Sequence, residues 1–108
     1  MTLKKAGDDD FDEKVIEASK EKPVLVDFWA EWCMPCKQFS PVIEDVGEEM
    51  EGEIDVAEVN VDKAERKAKE FGVRSIPNVK LFVDGEVKDE FVGARTESGL
   101  KRWIEERI

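Results

Sequence analysis

Hydrophobic and polar positions along the chain alternate in period between that of a helix and that of a strand. Phe11, Val15 and Ala18 recur at helical spacing behind Asp8, Asp9 and Asp10, which are candidates to cap that helix. The run KPVLVDFWA, opened by Pro23, is apolar almost throughout and predicts a strand buried on both faces. Phe39, Val42, Ile43 and Val46 mark a second helix, in which Pro41 should remove one hydrogen bond and introduce a kink. In IDVAEVNVD the residues Ile54, Val56, Val59 and Val61 suit another strand, with Glu58 out of step. KAERKAKEFG predicts a short charged helix ended by Gly72. Two alternating runs around Asp84-Gly85 predict a hairpin with a type I′ turn. Thr96 should cap a last helix with Leu100, Trp103, Ile104 and Ile108 on one face.

With a short edge strand at TLKK, the order is β-α-β-α-β-α-β-β-α. An early βαβ half and a late ββα half imply an α/β fold: a central mixed sheet of four to five strands flanked by four helices. The 108 residues contain no repeat, low-complexity tract or linker, so a single domain over 1–108 is expected.

Composition narrows the function. A hydrophobic share of 41% supports a packed core despite the charge. The net charge of −10 disfavours binding to nucleic acid or to an anionic membrane, whose phosphates it would repel. The opening MTLKKAGDDDFDEK has no hydrophobic stretch of signal type, and no run is long enough to span a bilayer, so a cytoplasmic protein is expected.

The only cysteines, Cys33 and Cys36, lie three apart in WAEWCMPCK. In a reducing compartment such a pair is more often catalytic or metal-binding than a permanent staple. Zinc needs about four ligands, and two cysteines without a histidine could provide them only by sharing between chains or with carboxylates. Two small core residues are the bland alternative. Three residues at the start of a helix place the two Cα atoms roughly 5–6 Å apart, within reach of a disulfide. Cys33 at the helix N-terminus would have its thiolate favoured by free N–H groups and the helix dipole. Cys36, one turn deeper, would be the more buried thiol. Pro35 fits the first turn, where no N–H donor is required. This arrangement suits Cys33 as the attacking thiol and Cys36 as the resolving one.

Asp27 interrupts the apolar strand. It is either an outward-facing residue or a buried carboxylate whose raised pKa would let it take a proton from Cys36. Trp29 reads mainly as packing over Asp27 and the cysteines, and Trp32 as part of a partner-facing rim. Lys37 either favours a thiolate at Cys33 or is a solvated surface lysine.

VDFWAEWCMPCK, SIPN and the Asp-Gly hairpin ending in FVGA together resemble the thioredoxin family over nearly the whole chain. The resemblance implies the thioredoxin fold and the reduction of disulfides in partner proteins, with no bound cofactor or metal beyond the Cys33–Cys36 disulfide. It also implies a recycling enzyme of thioredoxin-reductase type, and a monomer suffices. It favours the proton-accepting role for Asp27. It implies a cis Ile76-Pro77 bond facing the disulfide, with Ile76 offering backbone groups to an extended partner, and close substrate approach at Gly93 and Ala94.

Three departures stand out. Met34 replaces the glycine of the usual CGPC, at a position that differs among reducing, oxidising and isomerising members. Glu58 stands where many members have a lysine; turned toward Asp27, it would raise that carboxyl's pKa further. Asn78 replaces a common threonine. An oxidising or isomerising exchanger and a redox-silent binding scaffold are the competing functions.

Overall fold

The computed structural model describes residues 3–108, so Thr2 of the expected TLKK strand lies outside it. Five strands form one sheet: β1 (Leu3–Lys5), β2 (Val24–Trp29), β3 (Asp55–Asn60), β4 (Asn78–Val83) and β5 (Glu86–Val92). Their spatial order is β1-β3-β2-β4-β5, with β1, β3 and β2 mutually parallel and β4 and β5 antiparallel to their neighbours. The sheet is therefore mixed, and four helical segments flank it, as expected from the element order.

Strand alternation assigns the two faces. Leu25, Val56, Val79, Leu81 and Phe91 point to the side covered by α1 (Met34–Glu49) and α3 (Glu97–Glu105), against Phe39, Ile43, Leu100 and Trp103. Val24, Val26, Phe28, Val59 and Phe82 point the other way, against Phe11 and Val15 of the N-terminal helical segment and Ala64 before α2 (Glu65–Glu70). Central strands buried on both sides explain why the segment from Val24 to Phe28 carries almost no polar residue.

The N-terminal segment departs from the expected α-helix. It winds as a π-helix over Asp12–Glu17 and a 3-10 turn over Ala18–Lys20, and no side chain caps it. Asp10 accepts from the Gly7 N–H, while Asp8 reaches across the fold to the Arg66 and Lys67 N–H groups and caps α2 instead. Ser19, rather than Ala18, is the buried residue of the last turn. Its hydroxyl accepts from Gly85 N–H and its carbonyl from Asp84 N–H, so the hairpin turn draws it inward.

Elsewhere local chemistry and fold agree. Gly72 adopts φ +67°, and the Gly72 and Val73 N–H groups donate to the carbonyls of Lys69 and Ala68, which closes α2. Asp84 and Gly85 both have positive φ, as a type I′ turn requires. Thr96 Oγ1 accepts from Gly99 N–H at the start of α3. Helical winding continues on both sides of Pro41. Ile108 does not join the α3 face; it lies past the helix end and is half exposed.

Candidate active site

Strand β2 ends at Trp29, and the chain turns over Ala30, where the Cys33 N–H donates to the Ala30 carbonyl before α1 begins. This places the site at the carboxyl end of a central strand, where open α/β sheets leave a crevice. Cys33 is the N-cap of α1, with extended backbone, and its Sγ accepts from the Cys36 N–H at 3.2 Å. The sulfur thus receives one of the orphan donors of the first turn and lies at the positive end of a 16-residue helix. Cys33 and Cys36 are joined in a disulfide with Cα atoms 5.3 Å apart. Both are nearly buried, Cys36 more than Cys33. Pro35 falls in the first turn of the helix, where its missing donor costs nothing.

Two exposed apolar residues flank Cys33 in the chain. Trp32 is 68% exposed and Met34 62%. The Trp32 ring is tethered, since its Nε1–H donates to Asp62 Oδ2 at 3.0 Å. Trp29 is only partly exposed and packs against the cysteines with Ala30, Val61 and Ile76. Lys37 is exposed, and its ammonium lies 3.7 Å from Glu31 rather than pairing with any group of the disulfide.

The segment 76–77 reaches the cysteines from far along the chain. The Ile76-Pro77 bond is cis, and the Ile76 carbonyl oxygen lies 3.9 Å from Cys33 Sγ. The Pro77 carbonyl accepts from the Gly93 N–H at 2.8 Å, which brings the end of β5 beside the proline. Gly93 has φ +97°, a conformation that favours glycine, and Ala94 beyond it is exposed. Ile76, remote in sequence from the cysteines, therefore lies against Cys33, and Pro77 ties it to Gly93.

Two residues before Trp29 on β2 lies Asp27, 1% exposed, with neither carboxylate oxygen hydrogen-bonded among the described residues. It points to the α1 side of the sheet, in step with Leu25. Burial pushes its pKa up from the usual 3.8 to about 7, and the negative charge of Glu58 adds to the effect. Asp27 and Glu58 are register partners on the parallel strands β2 and β3. Glu58 is in step with Ile54 and Val56, on the α1 face, while Val59 and Val61 belong to the opposite face. The change of phase expected at Glu58 thus lies with the valines after it. Ser40 on α1 donates its hydroxyl to Glu58 Oε2 at 3.1 Å, a partner that nothing in local sequence signalled. A hollow of about 320 Å³ opens here, lined by Lys5, Trp29, Cys36, Lys37, Ser40, Pro41 and Glu58. Asn78 is buried, and its Oδ1 has no hydrogen-bond partner among the described residues.

Among the described residues, no group of three or more His, Cys, Asp or Glu side chains could hold a metal ion. None of the described helices is long and apolar enough to cross a membrane. What the arrangement offers is a reversible dithiol–disulfide couple: one sulfur at a helix N-terminus near the surface, the other one turn inward, next to a hollow.

Comparison with known proteins agrees with this chemistry. A family model described as Thioredoxin matches residues 2–106. A protein named thioredoxin from Rickettsia conorii is 42% identical over 101 residues, covering 94% of each chain. The thioredoxin of Rickettsia felis matches equally well. Thioredoxin C-2 of Corynebacterium nephridii is 40% identical over 107 residues, 99% of this chain and 97% of its own.

Proposed function

The chain belongs to the thioredoxin family and is a thiol–disulfide oxidoreductase whose redox group is the Cys33–Cys36 pair; from that premise we propose how its residues divide the work. In the reduced protein the Cys33 thiolate attacks one sulfur of a partner's disulfide. A mixed disulfide forms, and the partner's other sulfur leaves as a thiolate that takes a proton from water. Cys36 then gives its proton to the Asp27 carboxylate, directly or through water in the hollow, and attacks Cys33 Sγ. The partner's second thiolate departs, and the chain keeps the disulfide. Two electrons pass to the partner, which ends as a dithiol.

The observation that carries this reading is the Cys36 N–H donating to Cys33 Sγ at the mouth of α1, which favours charge on Cys33 over Cys36. Trp29 packs against the couple. Trp32, Met34, Ile76, Gly93 and Ala94 form the rim on which an extended partner segment docks, pairing with backbone groups of Ile76 beside the buried Pro77. Lys37 acts at this rim as a surface charge.

The partners are disulfide-containing proteins, and a thioredoxin-reductase-type enzyme returns the chain to the dithiol. A monomer in a reducing, cytoplasmic setting meets these requirements. The oxidising or isomerising exchanger and the redox-silent scaffold are not favoured.

The test is the equilibrium reduction potential of the pair, titrated against dithiothreitol. A value more negative than the glutathione pool, roughly −220 to −260 mV, is expected. A value near that of isomerases, about −180 mV, would overturn the reductase direction and point to Met34 as the cause.

A further inference from the structure

Glu58 has no part in the steps above, yet its position ties it to them. Strands β2 and β3 are parallel neighbours, so side chains of register partners on one face stand about 5 Å apart. Asp27 and Glu58 form such a pair. Asp27 is enclosed and has no hydrogen-bond partner among the described residues, whereas Glu58 is half-buried, fixed by Ser40, and on the wall of the hollow that also reaches Cys36. The other charged groups near Glu58 are Lys5 on β1, Lys37 on α1, and Glu31 and Lys63, which line a neighbouring hollow with it. Lys37 is drawn to Glu31. The hydroxyl of Ser40, not an ammonium, is what holds the Glu58 carboxylate.

We propose that Glu58 is a positioning residue for the resolving half of the exchange, the second carboxyl of a dyad that keeps Asp27 basic enough to take the proton of Cys36. Two carboxylates on one face of adjacent strands resist carrying charge together, so the enclosed one gives up its proton last. Ser40 holds the Glu58 headgroup toward the hollow, so of the two carboxylates Asp27 is the one that takes up the next proton. When Cys36 attacks Cys33, the thiol proton passes to Asp27 and the electron pair of the partner–Cys33 bond leaves with the partner's sulfur. No other oxidant or reductant takes part. The effect of burial on Asp27 comes first and that of Glu58 second, so Glu58 adjusts a base that burial has already created.

This inference rests on Asp27 being the proton acceptor, and the experiment separates the two. The full chain, labelled with ¹³C at aspartate and glutamate side-chain carboxyls, is titrated by NMR as wild type, Glu58→Gln, Glu58→Asp and Asp27→Asn. Release of partner from a preformed mixed disulfide on Cys33 is timed from pH 5 to 9 for each. In Glu58→Gln the Asp27 midpoint should fall by between about half a unit and about one and a half units, from Coulomb repulsion over this separation at effective dielectric constants of about 30–80. The pH limb of partner release should fall with it, and Glu58→Asp should restore most of both. An Asp27 midpoint unmoved in Glu58→Gln, with the limb abolished in Asp27→Asn, would overturn the dyad and leave Asp27 as the base. A limb that persists unchanged in Asp27→Asn would overturn the role of Asp27 itself, and the dyad with it.

Discussion

Replacing Asp27 by asparagine removes a buried charge and keeps nearly the same shape. The native carboxyl titrates at about 7 against 3.8 when unfolded, because burial and then Glu58 disfavour its charge. The native state therefore holds this proton more tightly than the unfolded chain does. Stability from the protonated carboxyl is complete below pH about 4, and it is lost as pH rises through about 7. A difference of about three pKa units at about 1.4 kcal/mol each amounts to about 4 kcal/mol. Asparagine does not ionise, so the variant avoids that loss. Relative to wild type it should gain about 4 kcal/mol between pH 4 and pH 8, with the steepest gain from pH 4 to 7. For a chain of 108 residues this corresponds to a rise in Tm difference of roughly 15–20 °C. Urea unfolding of both oxidised proteins at pH steps from 4 to 8 measures it, with the disulfide intact so that redox chemistry does not intrude. A stability difference constant to within about 0.5 kcal/mol over that range would refute the reasoning, because the carboxyl would then be paired or hydrated in the native state.

Three further substitutions test other parts of the molecule. Thr96→Ala removes the hydroxyl that accepts from Gly99 N–H, and should lower stability by about 1 kcal/mol in urea; an unchanged midpoint would mean that solvent caps α3 equally well. Phe11→Ala empties the centre of a ring cluster with Phe71 at 5.2 Å and Phe82 at 5.8 Å, and should cost about 3–5 kcal/mol. A loss below about 1 kcal/mol there would show that the π-wound segment collapses into the space. Trp32→Ala should reduce kcat/KM for a protein disulfide by about tenfold while leaving reduction of a small aromatic disulfide within about twofold, since an exposed rim residue touches only large partners. Equal loss on both substrates would place Trp32 in the chemistry instead.

The reach of local reasoning is clearest by comparing elements. The hairpin at Asp84-Gly85, the closure of α2 at Gly72 and the cap at Thr96 each depend on two to five consecutive residues, and each forms as expected. The N-terminal segment does not, because its winding answers to distant demands. Asp8 is taken by α2 almost sixty residues on, and Ser19 is held by the hairpin turn. Ile108 has the right spacing for the α3 face, but the helix ends before reaching it. Within the site, the Cys33–Cys36 spacing, Pro35 and the apolar strand around Asp27 were readable from residue order. Ser40 beneath Glu58 and Asp62 beneath Trp32 were not, because the pairs lie 18 and 30 positions apart and nothing local joins them until the chain is folded.

What residue order determined by itself was therefore the chemistry and the element plan: two thiols one helical turn apart, a helix starting between them, and strands and turns set by short-range sterics. Tertiary structure decided which groups meet. It brought the Ile76 carbonyl to 3.9 Å from Cys33 Sγ across a gap of 43 residues, set the Gly93 N–H on the Pro77 carbonyl, and paired Asp27 with Glu58 through the parallel register of β2 and β3. The order β1-β3-β2-β4-β5 produces all three, by seating β2 between β3 and β4 and pairing β5 with the far edge of β4. An acidity depends on what surrounds a carboxyl and how much water remains near it, and only the packed sheet supplies both.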